Sequence, residues 1–327
     1  MPGGEVEILG RELGVRHGKA PAVTIGDVAA QVVMSRPDRL AMKVPEGSIP
    51  GEVVVMREEL ASNGLILRVA VPMGENLHPV GSPAVDANGR VYATVSGGRG
   101  QKVPVAVFAI ERDFQMKPFV REMLNATGLA VGPDGYLYVS SRTEGTVYRV
   151  SQEGAVSVFA EGMGIATGIA FDDAGNLFVG DRSGTIFKLT PRAGVDPEIF
   201  VFATLEPSMA AYHLAFNGEG TLFVTGPTAS SSQVIHAVDR TGGTSVFYRG
   251  LGRAQGLAFD VEENLYVAAS LQGRQGIVRI TPARDASLVL AGPNLVGLAF
   301  LADGCAALAA RDALYHVDMG VQGRLLA

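Results

Sequence analysis

The chain has 327 residues, 47% hydrophobic and 18% charged, with 42 glycines and 17 prolines. That balance excludes a disordered chain and suits many short strands joined by tight turns. The formal net charge of −6 argues against a whole-molecule attraction to nucleic acid or to a membrane surface. Met1-Pro2-Gly3-Gly4-Glu5 does not lead from a basic region into an apolar run, and no stretch of about 18 apolar residues occurs. A cytoplasmic location is therefore expected.

Residues 1–72 carry 8 basic and 9 acidic residues and no basic run. They read as short strands at Val6–Leu9, Ala22–Ile25, Ala30–Val33, Leu40–Val44, Gly51–Val55 and Leu65–Val69, separated by Gly, Pro and Asp turns. So many strands in so short a segment predict a small β-sandwich. The pieces Gly3-Gly4-Glu5-Val6-Glu7-Ile8-Leu9-Gly10, Pro21-Ala22-Val23-Thr24-Ile25-Gly26, Val44-Pro45-Glu46-Gly47 and Gly51-Glu52-Val53-Val54-Val55 resemble the IPT/TIG immunoglobulin-like domain. The resemblance implies a spacer or interaction module.

Residues 73–327 carry a repeat. Gly128-Leu129-Ala130-Val131 … Gly135-Tyr136-Leu137-Tyr138-Val139 recurs as Gly168-Ile169-Ala170-Phe171 … Gly175-Asn176-Leu177-Phe178-Val179. Further copies begin at His213 and Gly256, with weaker ones at Gly81 and Gly297; the lead positions lie 47, 40, 45, 43 and 41 residues apart. Each copy continues into a third and a fourth apolar run, as in Thr146–Val150 and Val156–Phe159. Four short strands per unit is a propeller blade, so six copies predict a six-bladed all-β propeller. Ring closure is assigned to Arg324–Ala327, with a segment near Val69–Pro72 as the alternative. The sole cysteine, Cys305, is read as a small residue of a buried strand. The repeat resembles NHL-type propellers and the related gluconolactonase (senescence-marker) family.

Counting along the repeat brings two loop sets to one channel mouth. The strand-entry set contains His78, Asn125, Thr127, Thr167, Tyr212, His213, Gln255 and Asn294; the set after the second strands contains Ser96 with Arg99, Ser141 with Arg142, Asp181 with Arg182, Thr225 with Thr228, Ser270 with Arg274, and Arg311 with Asp312. Arginine offers a planar donor fork for carboxylate or phosphate. A single arginine after a strand is more often solvated or paired locally, as Asp181 with Arg182 or Asp312 with Arg311. The group persuades more than its members, because the repeat maps all of them to one face. His213 stands where five copies have Gly, which puts an imidazole near the axis; a structural histidine and a catalytic base are both open there.

Resemblance to the gluconolactonase family implies a divalent metal on carboxylate and amide oxygens at this mouth. The chain departs from that motif. Gly81-Ser82 precede Pro83 without a Glu, and Thr127, Thr167, Tyr212, Gln255 and Val296 stand before the lead positions, none of them a carboxylate. No metal site and no cofactor are therefore expected. Two readings stay open. One is a propeller that binds a small polar or anionic ligand, or a partner protein. The other is a lactonase-like hydrolase or a lyase using His213 and Tyr212, with a divalent metal as its alternative cofactor.

Overall fold

The structure, a computed structural model, describes residues 1–98, 101–228 and 233–325, and these contain strands, turns and loops but no helix. Six four-stranded antiparallel units form the propeller. Blades 2 and 3 run in simple meander order, as in Ala126–Val131, Leu137–Ser141, Thr146–Val150 and Val156–Ala160. Blades 1, 4 and 5 follow the same plan from the inner strands Ala84–Val85, His213–Phe216 and Leu257–Phe259; blade 5 adds the two-residue piece Leu251–Gly252.

Blade 6 takes three strands from the C-terminal end of the chain, Leu295–Phe300, Cys305–Ala310 and Ala313–Asp318. Its fourth is Val71–Glu75, which pairs antiparallel to Ala313–Asp318. The expected closure by Arg324–Ala327 does not occur. Arg324 instead donates its backbone N–H to Phe259, at the far end of the channel, and Leu326 and Ala327 lie outside the described residues. The strand Val71–Glu75, buried at Met73 and Gly74, supplies the missing outer edge, and it spans the boundary expected at 72/73.

Blade turns and blade junctions repeat. In every blade an Asp or Asn side chain (Asp86, Asp134, Asp172, Asn217, Asp260, Asp303) accepts the backbone N–H two residues on, closing the hairpin between the first two strands. Between blades, an aromatic ring on one second strand meets a phenylalanine on the next inner strand. The pairs are Tyr138–Phe171, Phe178–Phe216, Phe223–Phe259 and Tyr266–Phe300, with centroids 4.9–5.1 Å apart and steeply tilted rings. By register, Ala307 takes that position in blade 6, so the junction with blade 1 is aliphatic, built from Met73, Leu77, Ile110, Ala307 and Leu314.

The N-terminal segment is not the two-layer sandwich that its strand count predicted. Its strands form one seven-stranded sheet ordered Glu5–Leu9, Arg39–Lys43, Val28–Arg36, Ala22–Ile25, Gly51–Arg57 and Leu60–Ala61, with Leu65–Leu67 also on Gly51–Arg57. The nine-residue strand Val28–Arg36 pairs with Ala22–Ile25 through its first residues and with Arg39–Lys43 through the rest. The sheet thus curls into a half-barrel around Val23, Ile25, Leu40, Met42 and Val69. It attaches beside the entry loop of blade 6: Gly3 packs on Pro293, and the buried Met1 amino group donates to the Ala291 carbonyl at 2.9 Å. Burial pushes the pKa of that amine down to about 6.

Candidate functional site

At the lead positions, the waist of the propeller, neighbouring inner strands approach one another closely. A methyl group on Gly128 would lie 2.2 Å from the Thr167 carbonyl oxygen, and one on Gly168 would lie 2.3 Å from that of Tyr212. Close approach of neighbouring backbones therefore requires glycine at these places. The threonines beside them hydrogen-bond to backbone, and Thr167 links blade 3 to blade 4. Thr127 Oγ1 donates to the Asn125 carbonyl at 2.8 Å, and Thr167 Oγ1 donates to Gly180 at 2.8 Å while accepting the Tyr212 N–H at 3.1 Å. Where the gluconolactonase resemblance implies metal ligands, these hydroxyls serve the backbone.

One cavity of about 590 Å³ opens above this waist, within the usual range for a small-molecule site. His78, Thr127, Arg142, Thr167, Arg182, His213, Gln255 and Arg311, all expected at the mouth, line it. Asn294 and Ser270, also expected there, line it as well, and Arg253 joins them. Among the described lining residues are four arginines and no aspartate or glutamate. None of Arg142, Arg182, Arg253 and Arg311 forms an ion pair with a described carboxylate. The Arg182 Nη2 donates to the Met209 carbonyl at 2.7 Å, and the Arg142 Nη2 to Gly97 at 3.3 Å, so both guanidinium groups are held by neutral oxygens. Burial, and after it the nearby charge of Arg182, lowers the pKa of Arg142.

His213 lies where this cavity meets a second one of about 580 Å³, and it lines both. The second cavity is walled by the inner strands, with Phe171, Phe216, Phe259 and Phe300 among its lining, and Arg324 and Leu325 reach its far end. No described residue hydrogen-bonds the imidazole side chain. Burial lowers its pKa from 6.5 to about 4, so the ring is neutral at pH 7.

Other expected residues stand elsewhere. Tyr212 is packed in the blade 3–blade 4 core with its hydroxyl donating to the Glu206 carbonyl, and its pKa is pushed up to about 12 by burial. Asn125 is buried, bonding Gly97 and Gly98 at 3.1 Å and accepting from Thr143. Asp181 does not pair with Arg182; it accepts the Ile165 N–H at 2.8 Å and a bond from the Ser183 hydroxyl. Arg274 turns to the N-terminal sheet, donating to the Glu5 carbonyl at 3.2 Å and reaching Glu7 at 3.9 Å. Arg99 lies outside the described residues. Arg253 was missed, although the repeat contains its signal. It stands three residues before Gly256, as Asn125 and Asn294 stand before their lead glycines, and all three have positive φ (45°, 44° and 57°).

No family model matches the chain, and no curated protein matches it significantly. Solved structures do. A putative gluconolactonase is 18% identical with a TM-score of 0.63, covering 79% of this chain and 94% of its own. A gluconolactonase from Xanthomonas campestris is 15% identical with a TM-score of 0.63, covering 77% and 89%. A catalytically inactive virginiamycin B lyase from Staphylococcus aureus, solved with quinupristin, is 13% identical with a TM-score of 0.54, covering 96% and 98%. An auxiliary nutrient binding protein from Bacteroides ovatus is 13% identical with a TM-score of 0.58, covering 97% and 94%. At these identities the likeness establishes the six-bladed fold, and its bearers include hydrolase, lyase and binding protein alike.

Proposed function

We propose that this propeller captures a small anionic, oxygen-rich ligand at its arginine-lined mouth. The observation that carries the reading is four guanidinium groups around one cavity of about 590 Å³ with no carboxylate among its described lining residues. Such a cavity has unbalanced positive potential, and planar donor forks suit carboxylate or phosphate. Gln255 and Asn294 add neutral polar groups suited to hydroxyls.

Calorimetric titration with gluconate, citrate, inorganic phosphate and glucose 6-phosphate tests this. Saturable binding of at least one anion is expected, weakening as salt rises. Arg142→Ala and Arg182→Ala should each weaken it roughly 10- to 100-fold, the worth of one charge-assisted hydrogen bond. Failure of every anion to bind would overturn the reading.

The second reading, a lactonase-like hydrolase or a lyase, is favoured by one feature: an unbonded neutral imidazole at the channel waist. His213 with a pKa of about 4 holds the protonation state of a general base, but it is a weak base at pH 7. Turnover of lactone or streptogramin substrates that disappears in His213→Ala would favour this reading over simple capture.

A further inference from the structure

The ring closes within blade 6, and the junction of that blade with blade 1 by register lacks the aromatic pair found at four of the other junctions. A different cluster occupies the hairpin end of blade 6. Cys305 lies on the second strand of blade 6 and His316 on the third. The register Cys305↔Asp318 and Ala307↔His316 puts Cys305 and His316 on one face of the sheet as diagonal neighbours. Asp303, in the hairpin turn just before, accepts the Cys305 N–H at 3.1 Å. One ligand atom from each residue, a carboxylate oxygen, Sγ and an imidazole nitrogen, lies within 4.8 Å of the other two. Phe114 of blade 1 stacks against His316 at 5.2 Å, holding the ring across the seam.

We propose that Asp303, Cys305 and His316 bind a divalent transition metal of the zinc class at the seam that closes the propeller. A thiol, an imidazole and a carboxylate are the ligand types that zinc and cobalt share, and calcium or magnesium would not select the sulfur. Three protein ligands leave a fourth position for water. The Asp303 carboxylate beside the thiol attracts a dication, and the thiol proton leaves to solvent as the metal–sulfur bond forms. The cluster shares the hairpin end of the blades with the turns Asp86–Asn88 and Pro133–Gly135, which line the second cavity, so it is separate from the arginine mouth.

The single cysteine makes the test specific, because any metal–thiolate absorption must come from Cys305. Titration of the intact protein with Co²⁺ should produce a near-ultraviolet thiolate-to-cobalt band that saturates at one equivalent. The band should vanish in Cys305→Ser. It should need at least about tenfold more cobalt in His316→Ala and in Asp303→Asn, since losing a ligand costs no less than losing an outer partner. Asp303→Asn retains an acceptor for the turn hydrogen bond, which keeps that variant folded. Zn²⁺ should bleach the band, protect Cys305 from alkylation and raise the midpoint of thermal unfolding. Absence of the band at millimolar cobalt, or a band that persists unchanged in both His316→Ala and Asp303→Asn, would overturn the site. Arg142→Ala serves as the control and should bind cobalt as the wild type does.

Discussion

His213 illustrates how one side chain ties the channel to stability. Its pKa is about 4 in the fold and 6.5 when unperturbed, with burial as the cause. Between those values the unfolded chain takes up a proton that the folded chain refuses. The stabilisation is therefore complete above about pH 6.5 and is lost as pH falls toward 4, by up to about 3 kcal/mol. Urea unfolding of wild type and His213→Gln at about pH 7 and pH 4.5 checks this. The wild type should lose about 2–3 kcal/mol more than the variant between the two; equal losses would show that the imidazole is solvated in the channel. Arginine forms the opposite case at the same mouth. A guanidinium keeps its charge at any ordinary pH, so Arg142 and Arg182 hold a permanent positive field where His213 holds none.

At the scale of the strand, the second-strand aromatics of blades 2, 3 and 4 each bind their own blade to itself and to the next. Phe178 meets Phe202 of its own blade and Phe216 of blade 4, both at 4.9 Å between centroids and at 81° and 68°. Phe178→Ala removes both contacts from a closely packed core and should cost about 3–5 kcal/mol, measured by chemical denaturation. A loss under about 1 kcal/mol would mean that the junction repacks freely. The repeat made these strands legible, because the pattern Leu-Phe/Tyr-Val returns at nearly constant spacing. Arg253 and Arg274 show where reading by spacing fails. Both belong to blade 5, yet Arg253 lines the cavity while Arg274, the first residue of the strand Arg274–Ile280, is drawn away by Glu5 and Glu7 of a sheet far off in sequence.

For the whole molecule, closure and charge are the two properties that no single blade holds. Val71–Glu75 contributes the outer strand of blade 6, joining residues about 240 positions apart in register pairs such as Ala313↔Glu75 and His316↔Val71. A chain beginning at residue 77 should leave the edge of Ala313–Asp318 unpaired and expose Leu314, with aggregation on size exclusion and a lower melting temperature. A chain beginning at Val69 should keep the closing strand and the propeller's melting transition. Identical melting of the two would show that the three C-terminal strands of blade 6 suffice. The net charge of −6 hides a mouth of the opposite sign, because the acidic residues lie away from its lining. Under the function proposed here, such a concave positive site would concentrate small anions against the net charge of the molecule.

The sequence by itself determined the number of blades and the hairpin turns within them. Both follow from a local pattern repeated six times, in which strand period and turn chemistry repeat together. Tertiary structure decided the rest. Thr127, Thr167, Asn125 and Asp181 hydrogen-bond within or beside their own blades, which spacing does not reveal. The strand that closes the ring comes from the N-terminal side, because an outer edge takes whichever chain end reaches it with a matching pattern. The N-terminal strands curl as one sheet because Val28–Arg36 is long enough to pair on both sides of its bend. Strand count alone does not distinguish that arrangement from two packed layers.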